Sequence, residues 1–240
     1  MDTRPIESRA DELMEDCERG WGPVHEVLEN GDNIGIGNWS AVFYNPEVME
    51  DAVVKVFSGE QIENIRNRIE RVHSEYFPAS APIVCDTTEI ENPQLLVKQE
   101  DAALVIQEKS DESIVDGTCY EKATEEVTEF VDSLVDSGQI LDDFKTEAVH
   151  RYGDGLKYID FEDREAIKDW PLHEDRSTNG DVAYGMALMY AKLSAGLHKE
   201  YDRGIEEVKD RVADHSEVIQ DRVYEEKGFV PEMIDGWYYP

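Results

Sequence analysis

Basic residues are scarce in this sequence. Only 23 Lys and Arg stand against 56 Asp and Glu, so the formal net charge is −33 at pH 7. No basic stripe runs along the chain. This argues against direct DNA or RNA binding, which depends on cations that neutralise phosphates. Cysteine is scarce too. Cys17, Cys85 and Cys119 are odd in number, widely spaced and free of any CxxC pattern. That argues against a disulfide framework or a zinc site and leaves reduced, buried thiols as the expectation. The six histidines form no HExxH or HxxxH pair. Long apolar runs are missing, so no membrane span is expected. The acidic start, MDTRPIESRADELMED, has no apolar core and does not read as a signal peptide. A cytoplasmic protein is the expectation. Internal repeats and low-complexity segments are also absent.

The acids themselves are spread from Asp2 to Asp235 and alternate with apolar residues, unlike an acidic tail. At ordinary ionic strength such a surface repels itself and opposes compaction. At molar salt the Debye length falls to about 3 Å and the repulsion is screened. The composition therefore points to a high-salt cytoplasm. With 240 residues and 40% hydrophobic content, the chain can bury a core as one two-lobed domain or two small ones.

The pattern along the chain changes character midway. Residues 5–19 carry Ile6, Ala10, Leu13 and Met14 at helical spacing. Residues 24–58 read as strands and turns: a first run at Val24, Val27 and Leu28, a Gly-rich turn at Gly31–Gly37, then Ala41–Tyr44, a turn at Asn45-Pro46, and Ala52–Phe57. Residues 59–76 return to helical period. Gln94–Gln99 and Ala103–Gln107 suggest a further hairpin. From about Tyr120 the pattern is mostly helical: a stripe at Val127, Phe130, Val131, Leu134 and Val135, then helices over Val182–Leu197 and Gly204–Glu226. A sheet-rich half followed by a helix-rich half predicts an α+β chain of two lobes. The polar stretch Lys109–Thr118 is the expected hinge.

Four pieces carry candidate chemistry. Gly35-Ile36-Gly37-Asn38-Trp39-Ser40 is a Gly-rich turn between strands, where backbone N–H groups can approach phosphates closely; it also reads as an ordinary hairpin turn. Lys55 lies within Val53-Val54-Lys55-Val56, an apolar strand. It can meet phosphate oxygens or snorkel from an edge. Asp143-Phe144-Lys145 follows Asp142. Gly153-Asp154-Gly155 then turns the chain into Leu156–Phe161, which brings Asp160 back toward the first acid. Two carboxylates around one hairpin can serve as proton acceptor and metal ligand.

In this order the pieces resemble the eukaryotic-type protein kinase superfamily, over roughly residues 31–195. The resemblance implies a two-lobed kinase-like fold. Residues 1–108 would form an N-terminal helix and a β-rich small lobe, and residues 109–240 a hinge and a reduced helical large lobe. It implies ATP and Mg²⁺ as cofactors and a protein substrate or partner. Gly35 and Gly37 would lie over the ATP phosphates, and Ser40 and Val42 would also belong to the cofactor site. Lys55 would contact the α/β-phosphates and pair with Glu70, or alternatively Glu63. Gln107 would take the gatekeeper position, and the Glu108–Lys109 backbone would meet adenine. Asp143 would be the catalytic aspartate, with Lys145 beside it, and Asp160 the metal ligand. Asp181 would open the buried large-lobe helix.

Departures from the pattern are specific. Leu141 and Asp142 replace the usual His-Arg. Ala148 stands where a metal-binding Asn falls five residues after Asp143; counted from Asp142, that position is Glu147, an oxygen ligand. Ser40 stands where a third glycine is often found. Glu162 replaces the glycine after Asp160-Phe161, and no Ala-Pro-Glu follows. The resemblance thus implies either a minimal Ser/Thr-directed phosphotransferase or a pseudokinase that binds nucleotide or protein without turnover. A structural protein on an unrelated α+β fold is the third possibility.

Overall fold

The computed structural model describes residues 5–18, 22–36, 40–58, 62–72, 75–95, 97–137, 139–141, 144–153, 155–160 and 168–169. It also describes residues 189, 192–193, 196–197 and 199–201. By compactness the chain divides into two units, one reaching Ser110 and the other starting at Asp111. The fold is α+β, with mostly antiparallel sheet and a few helices.

The first unit begins with helices α1 (Ile6–Glu18) and α2 (Pro23–Asn30). It continues through β1 (Asp32–Ile36), β2 (Ser40–Tyr44), β3 (Ala52–Phe57), α3 (Ile62–Ile69), β4 (Ser80–Cys85) and β5 (Ala102–Glu108). The five strands form one antiparallel sheet in the order β1-β2-β3-β5-β4. Alternation along the strands gives the sheet two unlike faces. Phe43, Val54, Val56, Ile83, Leu104 and Ile106 point to one face and share a core with Ile6, Leu13 and Cys17 of α1 and Val24, Val27 and Leu28 of α2. Phe57, Ala103 and Val105 point to the other face and pack on Ile65 of α3.

Two expectations are corrected here. The run Val24, Val27, Leu28 is not a strand. Its spacing of three and four places all three on the buried side of α2, and Pro23 opens that helix where its missing N–H costs nothing. Gly22 before it sits at φ 112°, a left-handed conformation natural to glycine. The hairpin partner of β5 is not Gln94–Gln99 but Ser80–Cys85. Pro82 disguised that strand, and it is tolerated because β4 is a sheet edge.

The second unit contains α4 (Tyr120–Asp136), β6 (Gln139–Ile140), a 3-10 turn at Thr146–Ala148, β7 (Val149–Tyr152), β8 (Gly155–Tyr158) and β9 (Lys168–Asp169). β7 and β8 form the expected hairpin, and β6 pairs with β9. The stripe Val127, Val131, Leu134 of α4 is fully buried. Of the expected helix over residues 182–197, the described residues Met189, Lys192, Leu193, Gly196 and Leu197 are helical; Met189, Leu193 and Leu197 are buried. Asp181 and residues 204–226 lie outside the described residues. No helix among the described residues is long and apolar enough to cross a membrane.

The thiols differ from the expectation in one respect. Cys17 and Cys85 are buried, but Cys119 is exposed. The Cys85 thiol beside it, and then burial, push the Cys17 thiol far above its ordinary pKa, so it stays protonated and unreactive. A disulfide-exchange reagent should therefore titrate one thiol, Cys119, in the native protein and three after denaturation. A count of three at native conditions would contradict this packing.

Candidate functional site

The first unit assembles several predicted residues in one row. Gly35 pairs with Val42, Val42 with Lys55, and Lys55 with Val105. Cross-strand partners lie roughly 5 Å apart and share a face. Ser40 (opposite Phe57) and Gln107 (opposite Val53) flank the row on that same face. It is the face opposite α1 and α2. Exposure increases toward the sheet edge. Lys55 is 5% exposed and Gln107 2%, whereas Gly35, Ser40 and Val42 are half-buried. The lysine is thus held on a rigid central strand, between apolar neighbours.

The edge strand carries its own signal. Register shifts between Asn33 and Gly35, which leaves Ile34 as an extra residue in β1. The Gly35 N–H donates to Asn33 Oδ1 at 3.2 Å, closing the bulge. Ile34 and Ile36, on either side of Gly35, are 54% and 70% exposed. Ile36 lies opposite Ala41, which belongs to the core shared with α1 and α2, so Ile36 stands on the face away from the Lys55 row. The glycines at 31, 35 and 37 suggest a turn over Gly31–Gly37, but Asp32–Ile36 is strand β1, with Gly35 inside it at the bulge. Gly37 lies outside the described residues.

Other predicted contacts take different positions. α3 ends at Ile69, so Glu70 lies in the following turn and is exposed. Glu63 is also exposed and binds Arg66 at 2.7 Å. The Glu108 N–H donates to Ala79 O at 2.8 Å, and the Lys109 N–H to Asp51 O at 2.9 Å. Both amides thus serve the first unit itself, and an adenine meeting this segment would have to use other groups.

In the second unit, the residues around Lys145 are tied into one knot. Lys145 Nζ donates to Asp160 Oδ2 at 2.8 Å. The Lys145 N–H donates to the phenolic oxygen of Tyr158 at 3.2 Å. Phe144 stacks on the Tyr158 ring, with centroids 5.5 Å apart. The Ala148 N–H donates to Lys145 O, and the Ile159 N–H to Ala148 O. From the other side, Met189 Sδ accepts the Leu141 N–H at 3.2 Å, and the Thr146 hydroxyl donates to Leu193 O at 3.5 Å. Gly196 is required beside it: a Cβ there would fall 2.8 Å from Thr146 Cβ. Asp142 and Asp143 lie outside the described residues.

The two candidate metal ligands have separate lysine partners. Asp160 holds Lys145, whereas Glu147 holds Lys199 at 3.3 Å and pushes that ammonium's pKa up. Burial of Thr146 and Ala148 within the 3-10 turn turns Glu147 outward. Among the described residues no group of three His, Cys, Asp or Glu could hold a metal ion. Asp160 alone fits Mg²⁺ in a limited sense, because that ion takes one or two carboxylates and fills its shell with substrate phosphates and water. An open hollow of about 580 Å³ in the same unit, walled by Glu126, Glu129, Phe130, Tyr152 and Leu156, contains none of the predicted site residues.

No protein-family profile matches this chain, and no curated protein matches it. Among solved structures, the chain is similar to the Legionella pneumophila Lpg2603 kinase bound to IP6. The identity is 15%, over 87% of this chain and 79% of that chain, with a TM-score of 0.44.

Proposed function

We propose that this chain is an ATP-dependent phosphotransferase of the protein-kinase type, passing the γ-phosphate to a Ser or Thr hydroxyl of a protein. The row Gly35–Val42–Lys55 carries the reading: a buried ammonium stands in register with a glycine on an edge strand. Lys55 takes phosphate oxygens, and Gly35 admits the phosphates close to the backbone. Val42 and Ile34 offer apolar contact to a base. Asp143 accepts the proton of the acceptor hydroxyl. Lys145 stabilises charge on the transferred group. Asp160 would hold Mg²⁺, which supplies charge neutralisation at the phosphates. Positioning and charge account for most of the catalysis in this chemistry, so little else is demanded of the protein.

A second reading, a pseudokinase that holds nucleotide without turnover, is favoured by one observation. The Asp160 carboxylate already has a lysine at 2.8 Å, and Glu147 is engaged by Lys199. Incubation in molar KCl with Mg²⁺, labelled ATP and a Ser/Thr-rich acceptor protein separates the readings. Turnover is expected in the native chain, and Asp160→Ala should lower it by on the order of 100-fold or more. A nucleotide-induced rise in melting temperature without transfer selects the pseudokinase. Neither transfer nor a thermal shift would sink both.

A further inference from the structure

We propose that Tyr158 is a positioning residue that fixes Lys145, and through it the Lys145–Asp160 pair; this rests on the phosphotransfer reading above. Tyr158 is fully buried and among the largest side chains in the core. Its ring is already accounted for by the stack on Phe144. A phenylalanine could do that much. The hydroxyl is the extra feature, and a buried phenol needs a hydrogen-bond partner. It accepts the backbone N–H of Lys145.

Two residues further along the same extended segment, Asp160 receives the ammonium of that same lysine. Lys145 is therefore gripped at both ends, by its amide and its Nζ, from residues spaced i and i+2. Ile159 between them is anchored by its N–H to Ala148 O, and Ala148 in turn bonds back to Lys145 O. The loop and the strand form a closed ring of hydrogen bonds around one lysine. A long lysine side chain loses much rotamer freedom when its head is fixed. Holding its backbone limits where the ammonium can reach before any ligand arrives. A shift of about 1 Å in such a group can cost on the order of 100-fold in rate.

The variant Tyr158→Phe keeps the ring and removes the clamp. Three readouts are taken on the full chain in molar KCl: thermal melting, steady-state kinetics, and the rate at which Lys145 is acetylated, followed by mass spectrometry. Lys145 is about 40% exposed and so open to the reagent. The expected result is a kcat about tenfold lower, a KM for ATP changed less than about twofold, and Lys145 labelled several-fold faster. Buried Lys55 serves as a control, its labelling unchanged. A lower melting temperature with turnover and Lys145 labelling both unchanged would overturn the proposal and leave the hydroxyl a structural role only. Lost turnover with unchanged labelling would overturn it too. If the native chain shows no turnover, the phosphotransfer reading fails on its own, and faster labelling in Tyr158→Phe still upholds the clamp on Lys145.

Discussion

Replacing Lys55 by methionine should lower kcat/KM for ATP by on the order of 100- to 1000-fold while leaving the melting temperature of the nucleotide-free protein unchanged or raised. The two halves of this prediction come from one fact. Lys55 is 5% exposed on a central strand, with Val42 and Val105 as cross-strand partners. Taking an ammonium out of water costs several kcal/mol, which ion pairing only partly offsets. A methionine fills nearly the same space without that penalty. If the lysine is retained for phosphate, what it binds in the empty protein contributes little net stability, so removing it leaves the empty protein folded and cripples the loaded one. If instead it is retained for a structural ion pair, removing it strands a buried partner charge and costs about 3–5 kcal/mol. In a chain of this size that is a fall of roughly 10 °C in melting temperature. The sign of the thermal shift therefore distinguishes the two roles, and kinetics confirm it. A destabilised Lys55→Met protein with unaltered ATP use would remove the row from the site.

The sequence made the row legible because strand periodicity does two things at once. It predicts the strands at Ala41–Tyr44 and Ala52–Phe57, and it sets Val42 and Lys55 on alternating positions whose partners the register then supplies. The bulge at Ile34 was not legible. One extra residue in an edge strand leaves no compositional trace, yet it decides that Gly35 rather than its neighbour meets Val42. Helix α2 was missed because it is only eight residues long, too short for its period to stand out from a β-branched run. Strand β4 was missed because Pro82 argues against any strand except an edge, and edge position is a property of the whole sheet. At Lys145 and Asp160, motif spacing placed both residues near one hairpin. It could not show that they bind each other, nor that Tyr158 grips the same lysine from behind, since those contacts depend on how the 3-10 turn at Thr146–Ala148 folds the loop back.

Transfer from 2 M to 50 mM KCl should lower the melting temperature by on the order of 10 °C or more. Among the described residues, the buried charged side chains are Arg9 and Lys55, both cations. No Asp or Glu whose side chain is described is buried. The net charge of −33 leaves most of the acids with no basic residue to match. Several of the described ion pairs are exposed, among them Arg66–Glu63 and Lys199–Glu147, and such pairs contribute little. At 50 mM salt the Debye length exceeds about 10 Å, so neighbouring carboxylates feel one another across the surface; at 2 M it is below about 3 Å. Each kcal/mol of relieved repulsion corresponds to about 2–4 °C in a chain of this length. Several kcal/mol of self-repulsion then give the predicted shift. Excluded cosolutes also raise melting temperatures, so sucrose is the necessary comparison. Screening predicts that KCl acts strongly in its first few hundred millimolar and that sucrose cannot replace it there. Equal stabilisation by both, or a melting temperature flat across the salt series, would mean that the acidic surface is tolerated rather than adapted to salt.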